Sequence, residues 1–168
     1  MLTSTLDTFH ALDLFPQIMP VKHTIAARKF NVQLIIGLVL TIASSTLRVI
    51  AFQTLGIFFT FQLSILPDHK LVTHGLYSHV RHPAYTATLF VLVGVLLVTT
   101  APGSVLYDYL GVKSVRKLTI VLALGIASLV PTAMHRASIE DKVLRNEFGK
   151  EWEEWAKVVR YQLLPGVF

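Results

Sequence analysis

Between Phe30 and Leu66 only Arg48 carries a charge. A run this apolar has no place on a water-facing surface, so it constrains the fold before any motif is considered. Each piece flanking Arg48 is about long enough to cross the ~30 Å of a bilayer's hydrocarbon core. Phe30 to Leu47 reads as a span. Val49 to Leu66 holds Gln53, Thr54, Gly56, Thr60, Gln62 and Ser64, more polar groups than a lipid-facing helix tolerates, so it either crosses or lies at the interface lining a cavity. Two further uncharged runs follow. One starts at Pro83, a residue suited to the first helical turn, and runs through Val98 towards Pro102 and Gly103. The other, Leu118 to Met134, follows a loop marked by Lys113, Arg116 and Lys117, with Pro131 placed to kink it. Together these predict a helical hairpin over 83–134.

Composition supports the membrane reading. Apolar residues make up 53% and charged residues 15%, and mean hydropathy is +0.59, all displaced from the balance of a water-soluble domain. The net charge of +5 is not gathered into an aromatic-interleaved stripe, so an anionic membrane face suits it better than nucleic acid. With no cysteine, disulfides and thiolate chemistry are excluded. No signal peptide is evident, and the first span is expected to direct insertion. Residues 138–159 place Ile139, Val143, Phe148, Trp152, Trp155 and Val159 on one helical face, with the tryptophans suited to the headgroup zone.

The expected fold is therefore an all-α integral membrane protein of three or four transmembrane helices plus an interfacial C-terminal amphipathic helix. It is read as a single domain over 1–168: a leader over 1–29, a first span and second apolar segment over 30–66, a polar loop over 67–82, the hairpin over 83–134, and the C-terminal helix and tail over 135–168. Two crossings separate the polar loop from the C-terminal helix, so both lie on one side and can form one site. With three spans that side carries nine Lys or Arg against six, and with four spans eleven against four, which places it in the cytosol.

The polar loop, HKLVTHGLYSHVRH, holds His69, His74, His79 and His82. Their spacing matches no familiar ligand pattern, and no metal is expected. Tyr77 and Tyr85 are either interfacial anchors or a wall for a cationic ligand. Gln62 is either paired within a helix bundle or a ligand contact. Arg136 and Glu140, one turn apart, either form a simple salt bridge or together face the loop. No GxGxxG, Walker or GxSxG element occurs.

HKLVTHGLYSHVRHPAY resembles the signature of the isoprenylcysteine carboxyl methyltransferase family: a histidine, Leu-Val, a glycine, a tyrosine and Arg-His-Pro-x-Tyr in order. Beyond the hairpin, Arg136, Glu140 and LRNEFGKEWEEWAKVVRYQLLPGVF continue the pattern, and Leu47-Arg48 and Leu55-Gly56 fit it upstream. The resemblance covers roughly residues 32–168. It implies a cofactor, S-adenosylmethionine, contacted by Gln62, by His69, Lys70, Leu71 and Val72, by Tyr77, by His82, Pro83, Ala84 and Tyr85, and by Glu140. Arg136 would orient the acceptor carboxylate, and Arg136 and Glu140 would form the catalytic pair. The implied acceptor is the C-terminal prenylated cysteine of CaaX-processed proteins or small prenylcysteine analogues. The implied location is the endoplasmic reticulum membrane, with the site facing the cytosol. Departures fall at Ser78, His79 and Asp141, none of which touches these roles. Eukaryotic members usually carry further N-terminal spans, so the chain is expected to be either a compact member or one missing its N-terminal part. Competing readings are a phospholipid amine methyltransferase, which Arg136 disfavours, a sterol reductase, and a non-catalytic membrane relative.

Overall fold

The computed structural model describes residues 31–59 and 68–166, all within one unit, Asn31–Phe168. The leader over 1–29, Gln62 and the rest of the second apolar segment beyond Phe59 lie outside the described residues. Those described form an all-helical architecture with no strand. Helix α1 spans Val32–Leu55, a 3-10 turn follows at Gly56–Phe58, and a second 3-10 turn lies at Gly75–Ser78. Then come α2, Pro83–Thr100; α3, Val105–Phe148; and α4, Lys150–Val158. Three segments, Val32–Phe58, Pro83–Thr100 and Val105–Phe148, are long and apolar enough to cross a membrane.

Each helix begins and ends where local chemistry dictates. Asn31 caps α1 by accepting a hydrogen bond from the Gln33 amide at 2.8 Å. Pro83 opens α2, where its missing N–H deprives no partner. Ser104 caps α3 by accepting from the Tyr107 amide at 3.1 Å. Gly149, at φ 53°, closes α3 in a conformation that a side chain would resist.

Helix α2 is the centre of the bundle and packs on both α1 and α3. Its contact with α1 is close because small residues meet there. A Cβ added at Gly37 would fall 2.8 Å from the Val98 nitrogen, and one at Gly94 would fall 2.8 Å from the Thr41 nitrogen. Such backbone approach is how helices gain dispersion contact in lipid, where no hydrophobic force drives them together. Gln33 adds hydrogen bonds to the Leu97 carbonyl at 3.1 Å and the Thr100 hydroxyl at 3.2 Å. Outward, Ile42 is 65% and Leu124 67% exposed, side chains whose solvent is lipid.

The structure differs from the sequence-based reading at four places. Arg48 does not divide two segments, because α1 runs unbroken through it to Leu55. Lys113, Arg116 and Lys117 mark no loop and lie within α3; the turn falls at 101–104, before Ser104 caps the helix. The residue with non-helical torsions in α3 is Gly111 (φ 74°, ψ 162°), not Pro131. Finally, residues 138–159 are not one interfacial helix. No helix breaker stands between Met134 and Phe148, so α3 continues to Phe148, and Gly149 then separates it from α4. The tryptophans of α4 are not headgroup anchors. Trp152 and Trp155 are buried with Ala51, Tyr77 and Val159 in a core cluster.

Candidate active site

The ends of α1, α2 and α3 meet the polar loop around a cavity of about 440 Å3, within the range of roughly 300–1,000 Å3 typical of small-molecule sites. Helix α1 contributes Arg48, Phe52 and Leu55, and Phe58 and Phe59 follow it. The loop supplies His69, Lys70, Leu71, Val72, Tyr77, Arg81 and His82. Helix α2 adds Ala84, Tyr85 and Thr88, α3 adds Arg136, Glu140 and Leu144, and α4 adds Trp155. The resemblance-implied set is thus gathered in one place, apart from two residues. Pro83 is buried at the start of α2 and does not line the cavity, and Gln62 lies outside the described residues.

Loop and C-terminal segment are joined by main-chain bonds. The Arg81 amide donates to the Tyr161 carbonyl at 3.0 Å and the His82 amide to the Gln162 carbonyl at 2.9 Å. Thr86 donates its hydroxyl to the Leu163 carbonyl at 2.6 Å. From α4, Trp155 Nε1 donates to the Tyr77 carbonyl at 3.1 Å. These bonds fix the loop's backbone beside the cavity.

A buried polar network follows from that placement. His82 is 7% exposed, with Nε2 3.0 Å from Asp141 Oδ1 and Nδ1 3.4 Å from Glu140 Oε2. Burial alone would lower its pKa, but the hydrogen bonds to Asp141 and Glu140 outweigh it and raise it, favouring the imidazolium. Asp141 also pairs with Arg81 Nη1 at 3.2 Å and accepts from Gln162 Nε2 at 2.8 Å. Asp141, set aside in the sequence as a neutral departure, is therefore the hub of the network. Its residue type next to Glu140 was the available signal; the fold alone shows which partners it meets.

Tyr85 stands between Arg136 and Glu140. Its hydroxyl donates to Glu140 Oε1 and accepts from Arg136 Nε at 2.9 Å. The direct Arg136–Glu140 approach is longer, 3.4 Å. The two alternatives left open by their spacing are thus both present: a long salt bridge, and a pair joined through a tyrosine at the cavity wall. The Arg136 side chain is 54% exposed and that of Glu140 22%. Tyr77 is buried, and burial, then the nearby Glu140 and Tyr85, hold its phenol well above the usual range, so it stays neutral.

The remaining histidines are placed singly. The His69 ring centroid lies 4.7 Å from Phe58 and 5.8 Å from Phe148, and burial lowers its pKa against the opposing charge of Glu147. His79 Nδ1 is 3.0 Å from the Ser78 hydroxyl. His74 precedes the 3-10 turn. Among the described residues no group of three or more His, Asp or Glu is arranged to hold a metal ion. Arg48, Phe52, Phe58, Arg81, Thr88 and Trp155 line the cavity without having been singled out for the site, because they are ordinary in type and reach it only through the fold.

Comparison with known proteins agrees with the geometry. Residues 35–113 match the Isoprenylcysteine carboxyl methyltransferase (ICMT) family. A "probable protein-S-isoprenylcysteine O-methyltransferase" of Oryza sativa subsp. indica is 32% identical over 126 residues, 74% of this chain and 57% of that protein. Protein-S-isoprenylcysteine O-methyltransferase B of Arabidopsis thaliana is 30% identical over 125 residues, 73% and 55% of the two chains. A 7-dehydrocholesterol reductase of Danio rerio is 28% identical over 99 residues, 59% of this chain and 17% of the reductase. The chain spans little more than half the length of the methyltransferases it matches. No solved structure matches. Over residues 35–113 the chain is similar to the isoprenylcysteine carboxyl methyltransferase family, and over about three quarters of its length to methyltransferases named for that activity.

Proposed function

We propose that the chain transfers a methyl group from S-adenosylmethionine to the C-terminal carboxylate of a prenylated cysteine. The observation that carries this reading is the juxtaposition of Glu140, Tyr85 and Arg136 on the wall of a cavity that also has apolar and aromatic faces.

The donor set fits the cofactor. Glu140 supplies a carboxylate for its ammonium, Tyr77 and Tyr85 supply aromatic surface near a cation, and Leu71 and Val72 supply apolar contact for adenine. When bound, the cofactor supplies an electrophilic methyl carried on a sulfonium. Arg136 suits the acceptor carboxylate, which its planar guanidinium can hold through two hydrogen bonds. A C-terminal carboxyl, with a pKa of roughly 3.3–3.7, is already ionised at neutral pH, so the chain need provide no general base. Its contribution is alignment in a water-poor pocket, an effect that can supply roughly 7–11 kcal/mol. Tyr85, by bonding both Arg136 and Glu140, would keep the acceptor-holding and cofactor-holding groups in one geometry.

A membrane setting suits such an acceptor, since each methylene of a prenyl tail adds ~0.8 kcal/mol of bilayer affinity. We place the site on the cytosolic side, on the strength of the lysine and arginine distribution, in the endoplasmic reticulum, where CaaX proteins would reach it.

The test is transfer of labelled methyl from S-adenosylmethionine to a farnesylated cysteine analogue in membranes containing this chain, with Glu140→Ala membranes alongside. Transfer lost in the variant supports the reading; no transfer by a folded, inserted wild-type chain overturns it. The 99-residue match to a sterol reductase gives a second reading its own check: a phosphate-bearing nicotinamide cofactor should then compete with S-adenosylmethionine for the cavity.

A further inference from the structure

The cations around the cavity are not equivalent. Arg81 lies against Asp141, His82 is shared by Asp141 and Glu140, and Arg136 Nε meets Tyr85 and Glu140. Lys70 is at the exposed loop. Arg48 is exposed as well and differs in where it stands. It lies within the membrane-crossing helix α1, seven residues before its end at Leu55, which at 1.5 Å per residue is ~10 Å along the axis. Its guanidinium lies 5.1 Å from the Phe52 ring centroid, and both side chains line the cavity. Among the described residues no carboxylate pairs with it.

A full positive charge at that depth is expensive, and arginines retained within spans pair with another group or face a polar cavity. Phe52 gives a cation–π contact, but an aromatic face does not use the guanidinium's five donors. The fork matches a carboxylate in charge and in shape.

We propose that Arg48 is a second carboxylate-binding residue of the cavity, working beside Arg136. The inference rests on the methyltransferase reading and deepens it. The two ligands of that reading each carry one carboxylate: the amino-acid end of the cofactor and the C-terminus of the acceptor. Two arginines, one on α1 and one on α3, then face two carboxylates. Arg48 stands with Phe52, Phe58 and Phe59, an aromatic wall suited to an apolar tail.

Equilibrium binding tests this without turnover, using the full chain in detergent or nanodiscs. Farnesylcysteine is compared with its carboxamide, and S-adenosylhomocysteine with its decarboxylated analogue, on wild type, Arg48→Lys and Arg48→Met. Wild type is expected to prefer one carboxylate over its neutral partner by about tenfold or more. Arg48→Met should erase that preference while binding the neutral partner as before, which also reports that it is folded. Arg48→Lys should keep part of it. Loss of the farnesylcysteine preference assigns Arg48 to the acceptor; loss of the S-adenosylhomocysteine preference assigns it to the cofactor. Both preferences surviving in Arg48→Met, or wild type showing neither, overturns the inference. Methyl transfer measured on the same wild-type sample separates this failure from failure of the methyltransferase reading. An active wild type with unaltered preferences in Arg48→Met sinks only the role of Arg48.

Discussion

His82 is gripped from two sides by consecutive residues of α3, with Asp141 on Nε2 and Glu140 on Nδ1. Asp141→Asn should destabilise the protein by roughly 3 kcal/mol, the low end for breaking a buried pair, because His82 can shed its proton. The pH dependence has a definite sign. The pKa of His82 is raised in the folded state, so its stabilisation is fully present below the unfolded value of about 6.5 and is lost as pH rises through the folded value. In Asp141→Asn that loss should move to lower pH, and melting temperature measured against pH will show whether it does. At the hydroxyl of Tyr85, Tyr85→Phe should weaken S-adenosylhomocysteine binding about tenfold by removing the group that donates to Glu140 and accepts from Arg136, with little change in melting temperature. Unchanged affinity would make that hydroxyl a bystander. These two residues mark how far sequence could go. Tyr85 was recoverable from the signature stretch because it lies in a contiguous motif. The partnership of Asp141 with Gln162 and Arg81 crosses three segments, so spacing carried no trace of it.

Helices α1 and α2 touch where glycine leaves room, and the contact is testable as a unit. A methyl at Gly94 would meet the Thr41 amide nitrogen at 2.8 Å, and backbone cannot step aside as a side chain can. Gly94→Ala should cost about 1–3 kcal/mol, as overpacking does, whereas Gly125→Ala, with nothing within 4 Å of the added carbon, should not. Thermal unfolding of the pair in one detergent decides this. The apolar runs made the existence of these helices legible, because lipid demands long uncharged stretches. Their limits were less so: charge was a poor marker of an end. Arg48, Lys113, Arg116 and Lys117 all lie inside helices, since a cation facing a cavity or the interface leaves the backbone ladder intact. Breaks at Gly56, Gly111 and Gly149 instead fall where the backbone reaches positive φ.

Across the described residues, one end of the helical bundle gathers the chemistry and the remaining length is lipid-facing support. The tail after α4 ties the two together through the Arg81, His82 and Thr86 contacts and the Gln162–Asp141 bond. Ending the chain after Val159 should leave the helices inserted, judged by helical content and membrane partitioning, yet abolish S-adenosylhomocysteine binding; retained binding would refute a role for the tail. That tail also sets an order of events. During synthesis the hairpin of α2 and α3 can enter the bilayer while residues 160–163 have not yet been made, so the loop's Arg81 and His82 amides wait without their final partners. The pocket is therefore completed only once residues 160–163 are made, and a ribosome stalled before them would yield an inserted protein that is not yet able to bind.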